Sequence, residues 1–252
     1  MGSVIISSFG FAAIAVLAAL LGNSFLGTSR FLVDVNGLSA FMTVFGTLYG
    51  IMITFVVLEV WKQYNLTAEL VEKEAQGLER LYRLALYFRD ERLVKKVKDT
   101  IFNYCSVVIS ENFQNLGQGE RSMPASRAFR EMAAVIRDIK LNDQRDHTIF
   151  DHMASHYGQL SLVRAERLLQ SLVRLPKLLR AFLYIASVLA LVVFIVMPFE
   201  NILYSLLTVG ILAFILGMLF RLVEGLNNPF WGTWRITPEP FERTMRHIEE
   251  DF

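Results

Sequence analysis

The sequence predicts an all-α membrane protein. It has four transmembrane helices, with a helical cytoplasmic block between the second and third. Three observations predict this. First, four windows contain no Asp, Glu, Lys or Arg: Val4–Ser29, Val35–Leu58, Ala181–Phe199 and Asn201–Phe220. Each is long enough to cross about 30 Å of hydrocarbon as a helix, for which roughly 17–25 residues are needed. Second, these windows are apolar on every face, whereas barrel strands alternate. Third, the segment between the second and third windows carries its apolar residues at helical spacing. The chain of 252 residues is 54% hydrophobic, with a mean hydropathy of +0.41. The expected division is 1–61 for the first two spans, 62–177 for the cytoplasmic block, 178–224 for the last two spans and 225–252 for a cytoplasmic tail.

The first window reads as a membrane helix rather than a signal peptide, because no Lys or Arg precedes Arg30. Orientation follows from charge. The Lys and Arg residues other than Arg30, Arg221, Arg235, Arg243 and Arg246 lie between Lys62 and Arg180. Lys62, Arg174, Lys177, Arg180 and Arg221 flank the spans, so the positive-inside rule places both termini and the middle segment in the cytoplasm. The result is a multi-pass integral membrane protein whose first partner is the lipid bilayer. A net charge of +1 gives no reason to expect a nucleic-acid partner.

The second span, Phe41–Trp61, is the most informative element. At about 100° per residue, Thr43, Thr47, Gly50 and Thr54 fall on one side, with Gly46 nearby. Phe45, Leu48, Met52 and Glu59 fall opposite, flanked by Phe55. The small-residue side is either a helix-packing face, with Gly46 and Gly50 forming G-x-x-x-G, or a hydroxyl-lined pore wall. The apolar side meets lipid or forms a dry constriction that gates by dewetting. Glu59 favours water or a partner over lipid. Trp61 reads as an interface anchor.

No turn signal separates this span from the block. Tyr64, Ala68, Val71, Ala75, Leu78, Tyr82 and Ala85 follow in steps of four and three, a heptad seam on which subunits can pack. Asp90 is the expected cap of the next helix, whose seam is Val94, Val97, Ile101, Tyr104 and Val108. Leu116–Pro124 reads as a loop, followed by a helix over about Ala125–Lys140. After a turn at Leu141–Asp146, a long helix runs from about His147 towards Leu175. Pro176 marks a restart before the third span. The fourth span ends near Glu224. An extended piece, Thr233–Ile236, leads to a final helix capped by Thr237 with Pro238 at its first position.

Chemistry is scarce. There is no phosphate loop, no G-x-S-x-G and no H-E-x-x-H, so the chain does not read as an enzyme, and no cofactor is implied. His152 and His156 have the four-residue spacing of a metal pair, but an isolated pair reads as ordinary surface or capping histidines. The acidic clusters Glu69, Glu72, Glu74 and Glu242, Glu249, Glu250, Asp251 lack calcium-loop spacing and read as solvated, ion-paired helix faces. Cys105, the single cysteine, reads as a buried thiol.

Four stretches recur in a known order: FGTLYGIMITFVVLEVWKQYN, VEKEAQGLERLYRLAL, RAERLLQSLVRLPKLLRAFL and LNNPFWGTWRITPEPF. The chain resembles the bestrophin-like family of bacterial and plant membrane proteins over nearly its whole length. Its most specific mark is Asn228, Pro229, Phe230 and Gly232, followed by Pro238, Pro240 and Phe241. That family is similar to bestrophins, pentameric chloride channels whose second helix lines the pore and gates it with an apolar ring. The resemblance implies a homo-oligomer, with five subunits favoured, that passes a permeant inorganic ion. It puts the gate at Phe45, Leu48, Met52 and Phe55. No counterpart of the bestrophin calcium clasp is visible, and Glu59 with the acidic run after it favours cations at the inner mouth by Coulomb attraction. The competing reading is a non-conducting scaffold that binds partners through its cytoplasmic helices. A proton-driven motor subunit would need an acidic site deep in the later spans. Those interiors offer only Tyr184, Ser187, Tyr204, Ser205 and Thr208.

Overall fold

A computed structural model describes residues 2–26, 35–113, 116, 122–197, 199 and 201–250. Every regular element among them is helical. In chain order these are α1 (Gly2–Leu26), α2 (Val35–Leu86), α3 (Glu91–Val107), α4 (Met123–Arg137), α5 (Gln144–Gln170), α6 (Lys177–Val196), α7 (Ile202–Asn227) and α8 (Glu239–Glu250). A π-helical turn, Val108–Asn112, extends α3. Arg30 of the charge reading and Asp251 of the acidic cluster lie outside the described residues, as does most of the predicted loop after Leu116.

The chain divides into two compact units, Met1–Trp61 with Arg174–Asn227, and Lys62–Val173 with Asn228–Phe252. Among the described residues, three helices are long and apolar enough to cross a membrane, with apolar spans within Asn36–Leu86, Lys177–Val196 and Ile202–Asn227. The described apolar stretch of α1, Ile5–Leu21, is shorter.

In the first unit α7 packs closely on α1. A Cβ added to Gly217 would lie 3.3 Å from the Cα of Ser8, a tight contact that the missing side chain relieves. Ala15 and Ala19 of α1, Leu191 of α6, and Val209 and Ala213 of α7 fill the adjoining core. Asn201 starts α7: its Oδ1 accepts the N–H of Leu203 at 2.8 Å. Pro176 has an extended backbone immediately before α6, as its ring geometry favours at a restart. α7 runs to Asn227, three residues past the expected end.

The second unit explains the seams. Val71, Ala75, Leu78, Tyr82 and Ala85 of α2 and Val94, Val97, Ile101, Tyr104 and Val108 are buried in one common core. The α2 seam is therefore filled by this chain's own helices and not left for another subunit. Asp90 caps α3, accepting from the N–H groups of Arg92 and Leu93. Ser122 caps α4, whose first turn contains Pro124 where a missing N–H costs nothing. Asp143 caps α5.

The acidic run after the second span is not uniformly solvated. Glu69 pairs with Lys73 at the surface, and Glu72 takes both Nη2 contacts of Arg243, at 2.5 and 2.6 Å. Glu74, however, is fully buried with an equally buried Arg167. Arg167 binds both carboxylate oxygens, at 2.5 and 3.3 Å, and the Tyr104 hydroxyl donates to the same carboxylate. Arg164 donates to Tyr104 Oη at 3.1 Å and to Ser126 Oγ at 3.0 Å. Burial alone would pull the Arg167 pKa down, but Glu74 and Tyr104 outweigh it and hold the guanidinium charged. Burial, then Glu74, pushes the Tyr104 phenol up, so it stays a donor.

Removing one member of such a pair leaves a buried unpaired charge. Arg167→Met should cost about 3–5 kcal/mol, and adding Glu74→Leu should restore most of it. Thermal unfolding of the purified variants measures both, and a single variant as stable as the wild type would contradict the assignment. Cys105 is buried, and its thiol is pushed up first by burial and then by Glu74, so the reactive thiolate is suppressed at neutral pH. The folded protein should resist maleimide over a time that labels the denatured chain fully, as read by mass spectrometry.

Candidate functional site

The site is built on the first part of α2. One arc of this helix is turned away from solvent. Val56 and Val60 are buried, and Phe45, Tyr49 and Met52 are half-buried. Tyr49 shares a hydrogen bond with the buried Ser187 of α6. Phe41, Phe45 and Tyr49, one turn apart, stack in succession with ring centroids 6.0 and 5.8 Å apart.

The remaining arc is open and has two strips. Phe41, Val44, Leu48, Ile51, Phe55 and Leu58 recur in steps of three and four, each more than half exposed. Beside them Thr43, Gly46, Thr47, Gly50 and Thr54 are exposed as well. A Cβ built on Gly46 or Gly50 would meet nothing within 4 Å. The hydroxyls of Thr43, Thr47 and Thr54 donate to the carbonyls of Ser39, Thr43 and Gly50, one turn back, at 2.8–2.9 Å.

The gate residues named from the sequence thus divide. Leu48, Phe55 and Glu59 lie on the open arc, whereas Phe45 and Met52 lie on the packed side. Because both sides of α2 are apolar or small, the rotation of the helix is not readable from hydropathy. It is fixed by contacts such as Tyr49 with Ser187, which are long-range. In the first unit the glycines in tight contact are Gly210 and Gly217 of α7, while among the described residues nothing lies within 4 Å of a Cβ built on Gly46 or Gly50.

The tail motif is a structural fastening. Asn228 Oδ1 accepts the Phe230 N–H at 3.4 Å, and the Pro229 carbonyl accepts the Ile236 N–H at 2.7 Å. The stretch expected to be extended is therefore closed into a loop. Gly232 has φ +87°, a conformation other residues rarely adopt. Phe230 and Phe241 both meet the edge or face of Phe113, at centroid distances of 5.3 and 6.1 Å. α8 starts at Glu239, so Pro240 and Phe241 lie in its first turn, whereas Pro238 stands just before the helix and not at its first position as expected behind a Thr237 cap, its carbonyl accepting the Phe241 N–H.

Two polar contacts, made by Asn227 and Glu224, escaped sequence reasoning. Asn227 is buried and accepts the Leu175 N–H at 2.7 Å, tying the end of α7 to the segment before α6. Glu224 accepts from the Tyr184 hydroxyl and stands 3.7 Å from Arg180. Asn227 had a signal, standing directly before Asn228 in the motif. Glu224 and its partners are too far apart in sequence to suggest pairing.

The bestrophin-like domain model matches residues 4–241. The chain belongs to the bestrophin-like family. Its fold is also that of solved structures. A tyrosine-to-alanine variant of a bacterial bestrophin homologue from Klebsiella pneumoniae aligns with a TM-score of 0.75 at 12% identity, covering 97% of this chain and 98% of that one. An aspartate-to-alanine variant of that homologue aligns with a TM-score of 0.74 at 13% identity, covering 98% of each chain. A crystal structure described as a membrane protein aligns with a TM-score of 0.73 at 13% identity, covering 98% and 97%. A comparison with curated proteins gives no match. With its apolar helices, family membership identifies this bestrophin-like chain as an integral membrane protein.

Phe230→Ala should destabilise this bestrophin-like protein by about 3–5 kcal/mol through the cavity left against Phe113. Its exposed neighbour Trp231 should change stability by no more than about 0.5 kcal/mol when replaced by Ala. Paired thermal denaturation curves test the contrast.

Proposed function

We propose that the chain is one subunit of an oligomeric ion channel whose pore is lined by α2, with an apolar constriction on that helix. Four spans, with both termini and the middle helices on the cytoplasmic side, complete the arrangement. Five copies are favoured by the family resemblance. The supporting observation is the open arc of α2: an unbroken apolar strip beside a threonine–glycine strip, both exposed among the described residues.

Lipid alone accounts poorly for that arc, because exposed Glu59 lies one turn beyond Phe55 and a carboxylate facing hydrocarbon is costly. Copies arranged around an axis would cover part of the arc with protein and leave the rest to water. Leu48 and Phe55, two turns apart on the open side, are then the side chains that narrow the path, with Phe45 and Met52 packed behind them. Narrow apolar rings exclude water and block ions without any moving plug. Glu59 would lie towards the inner mouth and raise the local concentration of cations.

Planar-bilayer recording of the purified protein tests this reading. Leu48→Ala and Phe55→Ala should each raise conductance by widening and wetting the constriction. Absence of current from the wild type and both variants, in chloride and potassium gradients alike, would reject the channel. Wild-type current unaltered by either substitution would move the constriction off this strip.

A further inference from the structure

Helices α1 and α7 pack in opposite directions. A Cβ added to Gly217 would lie 3.3 Å from the Cα of Ser8, and one added to Gly210 would lie 3.3 Å from a methyl of Val16. Beside this seam, within the first unit, runs a groove of about 380 Å³. Ser7, Gly10 and Ile14 line it from α1, and Gly217, Phe220 and Arg221 line it from α7. Because the helices are antiparallel, Ser7 and Arg221 share one end. Ile14 lies two turns further along α1, roughly 10 Å away. The groove is polar at one end and apolar along the rest.

The glycines make the groove. Gly10 is exposed, and a Cβ built on it meets nothing within 4 Å, so its missing side chain leaves open space. The wall is fixed by Phe220, whose ring meets the edge of Phe11 with centroids 6.3 Å apart. Ile14, at the far end, is 67% exposed. In an integral membrane protein such a surface faces hydrocarbon, so the apolar part of the groove suits an acyl chain.

The charge at the other end decides which amphiphile fits. The run without Asp, Glu, Lys or Arg, Asn201–Phe220, stops at Arg221. The guanidinium therefore stands at the edge of the hydrocarbon, within reach of headgroups. Among the described residues no carboxylate pairs with it. Glu224, one turn along α7, accepts from the Tyr184 hydroxyl and faces Arg180 at 3.7 Å. By contrast, the groove between α2 and α6, lined by Leu38, Met42, Val193 and Phe194 among others, has no charged residue. That groove offers nothing to select one headgroup over another.

We propose that the groove between α1 and α7 holds a phospholipid of net negative charge. Its phosphate lies on the Arg221 guanidinium, and one acyl chain runs past Gly10 and Gly217 towards Ile14. A guanidinium fork suits two phosphate oxygens at once, and basic pockets between membrane helices select anionic headgroups in this way. A choline headgroup would bring its own cation towards Arg221, which costs Coulomb energy that a glycerol headgroup does not. The site is separate from the open arc of α2 and does not depend on whether the protein conducts.

The full-length protein in nonionic detergent would be titrated with palmitoyl-oleoyl phosphatidylglycerol, or with phosphatidylcholine of the same chains. Native mass spectrometry counts the bound lipid. Phosphatidylglycerol should bind at least about tenfold tighter than phosphatidylcholine, saturating at a single lipid per chain. Arg221→Gln should lose that preference while phosphatidylcholine binding stays unchanged. Gly10→Leu should fill the groove and weaken both lipids about tenfold. Inorganic phosphate at equal concentration should displace neither, having no chain to seat. Equal binding of the two lipids by the wild type, or phosphatidylglycerol binding unaltered by Gly10→Leu, would overturn the proposal. So would displacement by inorganic phosphate, which would make the site one for the free anion. A Gly10→Leu protein changed in oligomer mass but not in lipid count would equally overturn it and give the groove to a second copy.

Discussion

The second unit depends on one carboxylate. Glu74 comes from α2, Arg167 from α5, and Tyr104 reaches it from α3. Arg164, one turn from Arg167, connects Tyr104 to Ser126 of α4. Four helices thus converge on a single buried charge. Such a pair is a poor source of net stability, because both ions were better hydrated in the unfolded chain. Its strength is in what it forbids. Sliding α2 past α5 by one turn would bury Glu74 and Arg167 apart from each other, so the register of the hydrophobic seams is fixed by electrostatics and not by the seams themselves. Apolar seams with regular spacing tolerate such slips. The ion pair makes the block specific.

Hydropathy made the helices legible because lipid and core alike demand apolar runs of set length and period. The block seams, the Asp90 cap and the restart at Pro176 followed from local rules that act within a few residues. Glu74 was not legible. It stands among other glutamates, and its partner is 93 residues away. The spacing rules that marked Val71, Ala75 and Leu78 as core also put position 74 near that face, yet a carboxylate there reads as solvated until its counter-ion is known. The tail motif could be recognised as a pattern before its purpose was visible. Only the loop closure at Pro229 and Ile236, the positive φ of Gly232 and the Phe113 contacts explain why those residue types occur together.

The rotation of α2 is the other feature that sequence alone left open. A small-residue face and an apolar face are equally able to pack, to meet lipid or to meet water. Helix α2 resolves this by turning Val56, Val60 and the Tyr49 hydroxyl inward, which leaves the glycine pair uncovered and divides the expected gate between two sides. At 12–13% identity to the solved structures it resembles, the chain shares their fold with few of their side chains. Side chains along the open arc must therefore be judged on this chain's own geometry.

The threonine strip has a directional chemistry. Each of Thr43, Thr47 and Thr54 gives its hydroxyl proton to the carbonyl one turn back. What remains facing outward is oxygen lone pairs without protons. Hydroxyl groups are usually regarded as indifferent to the sign of a passing ion, because they can turn. These cannot turn without giving up an internal bond, so the strip is a fixed column of weak Lewis bases, able to replace part of a hydration shell around a positive ion and offering nothing to a negative one.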